Sequence, residues 1–135
     1  MTSVGPVLKE NESDITVVAV EPAESTVLSG GTPGPHRTQA LGAGFVLDVL
    51  DTEIYDTVCR ADLPEARRLA RTEGFLTGLS GGAALHSAAT ITHHPRHKGA
   101  LIMVVLPAPG SVASARTCST TDSRHHGAPE YTGKP

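Results

Sequence analysis

The chain has no tryptophan and only two tyrosines and two phenylalanines in 135 residues. Without large rings, any core is built from small aliphatic side chains such as Ala, Val and Leu. Two cysteines, Cys59 and Cys118, stand far apart and outside any C-x-x-C. That spacing argues against a disulfide-stapled scaffold and points to a reduced, cytoplasmic setting. There is no basic excess: 11 Lys and Arg stand against 14 Asp and Glu, for a net charge of −3. Nucleic acid, which is held by neutralising phosphates, is therefore not an expected partner. The longest apolar run, Ala100 to Pro109, is too short to cross a bilayer. Met1–Glu10 lacks the basic-then-apolar order of a secretory signal.

What the chain does have is punctuation: 14 glycines and 10 prolines divide it into short elements. Ile15–Val20 (I-T-V-V-A-V) is a β-branched run closed by Glu21-Pro22, and apolar character on both faces predicts a strand of a parallel sheet. Met1–Glu10 is expected to be the end of a helix leading into it. Glu24–Pro35 reads as a long loop, and Asp51–Arg60 holds a second short strand. Leu63–Gly74 is expected as a helix, with Leu63, Ala66, Leu69 and Ala70 on one face and Arg67, Arg68 and Arg71 on the other. Leu76–Leu79 is a brief strand, Ala83 to about Ile91 a second helix, and Leu101–Leu106 (L-I-M-V-V-L) the clearest buried strand. The order is α/β and predicts Ile15–Val20, Leu76–Leu79 and Leu101–Leu106 as parallel strands with both helices packed on them. Beyond Pro109 the chain turns to Ser, Thr, Arg and His without periodicity, the composition of a disordered tail.

Ser80-Gly81-Gly82 lies between strand and helix, where backbone N–H groups at the positive end of the helix dipole suit an anion or a polar cofactor atom. A plain N-cap serine with a tight turn is the alternative. His93-His94-x-x-His97 has the look of a metal cluster, but no cysteine or carboxylate stands near to complete a ligand set, so no metal is expected. His125-His126 is weaker still. No G-x-S-x-G elbow anchors a Ser/His/Asp reading.

Set in order, V-V-A-V-E-P at 17–22, the segment Ser25–Gly31, P-G-P-H at 33–36, Q-A-L-G-A-G-F at 39–45 and L-D-T-E-I-Y-D at 50–56 form one pattern. It continues in A-R-R-L-A at 66–70, Glu73-Gly74, G-L-S-G-G-A-A at 78–84, Lys98-Gly99 and V-V-L-P at 104–107. The pattern resembles the cysteine synthase (O-acetylserine sulfhydrylase) family of fold type II enzymes, which use pyridoxal 5'-phosphate (PLP). Cystathionine β-synthases share parts of it, but P-G-P-H with G-A-G-F favours cysteine synthase. The resemblance implies the C-terminal part of the large domain, a parallel-type sheet with flanking helices, incomplete. It implies an activity for the parent family: L-cysteine from O-acetylserine and sulfide by β-replacement. It implies that Ser80 hydrogen-bonds the pyridine nitrogen of PLP, a neutral partner that limits the electron sink and favours β-elimination and replacement. Gln39–Gly44 would line the active-site cleft, with Ala40 where the family has glycine. The family's partners are a second copy of itself and the C-terminal tail of serine acetyltransferase.

The departures are as informative. Family members are more than twice this length. The glycine-rich phosphate loop, the Schiff-base lysine and the substrate-carboxylate loop have no counterpart here, and Lys9, Lys98 and Lys134 stand in the wrong contexts to replace that lysine. No residue is therefore assigned a catalytic role. Pro6 replaces an ordinary helix residue of the family and is expected to break a helix interior. The segment Cys59–Glu65 is shorter than its counterpart. Back-translated and read one base out of register, Ser111–Asp122 gives G-E-R-C-L-S-A-D-L-F-D-D, close to the family's ending. The expectation is a partial cysteine synthase-like domain over 1–110 and a frameshifted, disordered tail over 111–135. Such a chain is expected to be inactive alone and prone to aggregate or to lose fixed packing. Two alternatives stand beside it: half of a split enzyme completed by an N-terminal half on another chain, or a non-enzymatic binding module.

Overall fold

The computed structural model describes residues 1–36, 38, 41–61, 79–106 and 131–133, with the backbone alone for 79 and 131–133. Helix α1 spans Val4–Asn11. Pro6 does not break it. The helix starts at Val4, so Pro6 falls in the first turn, where an N–H has no intrahelical acceptor to lose. Gly5 is buried, and a Cβ there would collide with the Ile54 side chain; its absence lets α1 lie close on the body. Lys9 at the other end pairs with Asp56 at 2.7 Å. Asp56 also accepts from the Val17 N–H at 2.7 Å and donates its own N–H to Val17 at 2.9 Å, so one carboxylate ties helix to sheet.

Strand β1 (Val18–Pro22) pairs in parallel with β2 (Thr57–Ala61), Val18 opposite Thr57 and Pro22 opposite Ala61. The strand expected at Ile15–Val20 thus starts three residues later and takes in Glu21 and Pro22. Both are buried, because the Glu21 carboxylate finds its partners inside rather than in water. The strand expected within Asp51–Arg60 is β2. Helix α2 covers Leu79–Thr92. Ala83, Ser87 and Ile91, four apart, form its buried stripe against β1 and β2. A single 3-10 turn follows at Pro95–His97.

Three expectations change. Leu79 is helical, so the strand expected at Leu76–Leu79 does not include it; 76–78, like the helix expected at Leu63–Gly74, lie outside the described residues. Leu101–Leu106 forms no strand: it pairs with none of the described residues, and Leu101, Met103 and Val105 are 96%, 81% and 79% exposed. A strand needs a ladder partner as well as β-branched side chains, and no described residue supplies one. The periodicity-free tail, finally, contributes Tyr131–Gly133 as strand β3, antiparallel to β2, giving the sheet order β1-β2-β3.

Among the described residues Ala19, Ile54, Tyr55 and Val58 form a core cluster, with Val17 and Leu28 packed alongside. Among them too, the largest fully buried side chains are Glu21, Pro22, Cys59, Ser25 and Ser87, none a large aliphatic or aromatic residue. Among the described residues no helix is long and apolar enough to cross a membrane.

Candidate functional site

Ser80 sits in the first turn of α2, half-buried, with Gly81 and Gly82 buried directly behind it. First-turn amides have no intrahelical acceptors, so this end of α2 carries a positive partial charge. The Ser80 hydroxyl can donate one hydrogen bond to a ring nitrogen brought to that turn. Gly81 and Gly82, without a Cβ, let neighbouring segments of the chain pack directly against this turn. The described lysines do not converge on this point. Lys9 is held by Asp56. Lys98 follows the far end of α2, roughly 20 Å away at 1.5 Å of rise per residue. The residues present thus fit the pyridine-nitrogen side of PLP and supply no amine and no phosphate cradle among the described residues.

The second cluster is the loop after β1. Glu21 is 1% exposed, and its carboxylate accepts from the Leu28 N–H at 2.8 Å, the Ser29 N–H at 3.4 Å and the Ser29 hydroxyl. Arg60, opposite it on β2, brings its guanidinium to 3.8 Å. A buried carboxylate is tolerable only with such partners, and here they fix how the chain leaves the sheet. Further along, the Gly42 carbonyl can only accept, so His36 Nε2 carries a proton and donates to it at 2.8 Å. Nδ1 is then left to accept from the Thr38 hydroxyl at 2.7 Å. Gly42 has φ +70, and a Cβ there would lie 2.7 Å from Pro22 Cγ, so only glycine closes this loop onto β1. P-G-P-H and G-A-G-F are in this way one hydrogen-bonded unit. Gln39 and Ala40, expected to line the cleft, lie outside the described residues. Between this loop and β1 a cavity of about 130 Å³ opens, with Ser25, Leu28, Phe45 and Leu47 among its walls. The Ser25 hydroxyl there is buried without a hydrogen-bond partner.

Cys59, free and fully buried on β2, faces Ser87 of α2. Burial pushes its thiol above the ordinary value, and the Ser87 hydroxyl draws it partly back. A protonated, inaccessible thiol is packing, not a nucleophile. The histidines after α2 close the helix end. His93 Nδ1 donates to the Ala89 carbonyl at 2.7 Å, and His94 Nδ1 accepts from the Arg96 N–H at 3.4 Å. Among the described residues no cluster of His, Cys, Asp and Glu is arranged to hold a metal.

Sequence reasoning missed Glu21, which it used only to end a strand. A carboxylate followed at seven and eight residues by Leu28-Ser29 gives no periodic signal, and only the folded loop brings the donors back to it.

Compared with known proteins, the chain is 44% identical over 114 residues to a cysteine synthase of Staphylococcus aureus, a match covering 82% of this chain and 36% of that protein. Its structure superposes on the O-acetylserine sulfhydrylase isoform 3 of Entamoeba histolytica with a TM-score of 0.82 and 32% identity, over 92% of this chain and 38% of that one. An O-ureido-L-serine synthase matches with a TM-score of 0.73 and 34% identity, over 93% and 40%. No family model matches. The chain therefore spans little more than a third of the length of the curated relatives it matches.

Proposed function

From its kinship with part of the cysteine synthases, we propose that this chain is a truncated cysteine synthase-like protein that keeps one contact of a PLP site and does not catalyse alone. The observation that carries the reading is the placement of Ser80-Gly81-Gly82 in the first turn of α2, within a chain 44% identical to a cysteine synthase. PLP, when bound, supplies the electron sink for β-replacement. The role of this chain toward it is one hydrogen bond from Ser80. One such bond, about 1 kcal/mol net, does not retain the cofactor. Free, buried Cys59 accords with a reducing, cytoplasmic setting. The domain reading, 1–110 as the cysteine synthase-like part and 111–135 as a frameshifted tail, is part of the same proposal.

The test mixes the purified chain with PLP and records the visible spectrum beside that of Ser80→Ala. The expected result is no stable cofactor band that depends on Ser80, and no cysteine from O-acetylserine and sulfide. A Ser80-dependent band with turnover overturns the inactive reading. The split-enzyme alternative has one observation in its favour, the exposed run 101–106. Docking of a serine acetyltransferase tail has none among the described residues.

A further inference from the structure

We propose that the cavity between β1 and the loops that follow it is a binding site for a small neutral molecule. The molecule has an apolar body the size of a single ring and one hydroxyl that pairs with Ser25. This goes beyond the cofactor reading above and does not depend on it, since Ser80 is not among the cavity's walls.

Ser25 stands just after β1, and its N–H donates to the Pro22 carbonyl at 3.1 Å, so its backbone is fixed to the strand end. The residue is 1% exposed, and its hydroxyl, at the cavity wall, has no hydrogen-bond partner among the described residues. A buried hydroxyl without a partner is costly, and a bound group that can donate and accept removes that cost. The walls are held by hydrogen-bonded turns. The Gly30 N–H closes the first onto the Val27 carbonyl at 3.1 Å, and the Leu28 N–H pins it to Glu21 at 2.8 Å. In the second, the Leu50 N–H donates to the Leu47 carbonyl at 2.8 Å. The volume, about 130 Å³, approaches the roughly 150 Å³ of an apolar cavity that takes up benzene. Apart from Ser25 and Glu21 the walls are apolar, and both Glu21 carboxylate oxygens are engaged by the Leu28–Ser29 turn. Among the described residues the walls hold no Lys, Arg or His, so a carboxylate or phosphate would meet no opposite charge. A cation would exchange its hydration for aliphatic side chains. A lone water would gain Ser25 but lack the two to four polar partners that hold a buried water, roughly speaking. A neutral ring with one hydroxyl matches the apolar walls and the single polar group together. Phe45 and Leu47 are exposed wall residues, so the molecule enters on their side and covers apolar surface there.

The test titrates the full chain with phenol, benzene and benzoate and follows the backbone amides by NMR. The expected result is saturable binding of phenol in the millimolar range, with the shifted amides gathered at 20–28 and 42–50. Benzene shifts the same amides but binds about fivefold more weakly, because it makes no bond to Ser25. Benzoate gives no saturable shift. Ser25→Ala removes a hydroxyl that has no partner to lose, so the variant keeps its fold, and in it phenol and benzene bind alike. Four results overturn the proposal: no saturable shift with phenol, shifts centred away from those two segments, benzene or benzoate binding as tightly as phenol, or a phenol affinity that Ser25→Ala leaves unchanged. No readout needs PLP. Ser80→Ala leaves phenol binding intact, so failure of this site and failure of the cofactor reading are told apart.

Discussion

Ile15–Val20 and Leu101–Leu106 are two six-residue runs of nearly the same chemistry, and the fold treats them in opposite ways. The first feeds β1, which lies against β2 with Ala19 fully buried. The second pairs with none of the described residues and is bare at Leu101, Met103 and Val105. Side-chain propensity does not separate them. What separates them is the presence of a partner. Thr57–Ala61 offers β1 a parallel ladder, α2 covers it, and Asp56 and Glu21 secure the chain at either end. β-propensity describes how well a residue fits a half-built surface, and where the surface is missing it specifies nothing.

The comparison breaks most severely at Glu21. Its carboxylate is the buried hub joining β1 to the Leu28–Ser29 turn and to Arg60. Glu21→Ala leaves two N–H groups and a hydroxyl without their acceptor and removes the charge facing Arg60 at 3.8 Å, and is expected to cost about 3–5 kcal/mol. Set against the roughly 5–15 kcal/mol typical of a whole domain, about 3–5 kcal/mol is enough to loosen β1 from the body. Urea denaturation followed by circular dichroism checks it. A loss under 1 kcal/mol means that β2 and α2 hold β1 without the carboxylate.

How much of this was legible follows the same division. The α/β class, β1, β2 and the helix over Ala83–Ile91 came from local pattern, because each meets its partner within the chain. The start of that helix was not legible: Ser80-Gly81-Gly82 read as a turn before a helix at Ala83, but the helix begins at Leu79 and takes them in. Leu101–Leu106 misled, because its pattern is that of a strand and no described residue pairs with it. Glu21 and the His36–Gly42 bond were silent in sequence, since they depend on a loop closing on itself. Tyr131–Gly133 was silent too, for three residues carry no periodicity.

A smaller effect sharpens the well-covered side. Cys59 is buried between β2 and α2, and desolvation raises its thiol above the ordinary value of 9.0. The fold therefore favours the neutral thiol. That contribution is fully present below about pH 9 and is lost as pH rises through the folded-state value. The urea midpoint of the native chain should fall between pH 8.5 and about pH 10.5 more steeply than that of Cys59→Ala. Parallel slopes would show that the β2–α2 contact admits water. The same burial predicts slow modification of Cys59 by a thiol reagent at pH 8 until urea opens the sheet.

The smallest effect is expected where the sequence looked most like core. Val105 sits in the middle of the apolar run, and in a completed sheet a lysine there would place a charge in an apolar interior, at a cost of several kcal/mol. In this chain its side chain already meets water, with 79% of its surface exposed. Val105→Lys removes no contact that the folded chain makes, so the expected change in stability is within about 0.5 kcal/mol. The added charge on an open edge should also lower self-association, since edge lysines block strand-to-strand pairing. Urea denaturation and sedimentation of the variant beside the native chain measure both. A loss above 1 kcal/mol would mean that 101–106 is covered in the isolated chain. The contrast between the two runs would then lie in their sequences rather than in the presence of a partner.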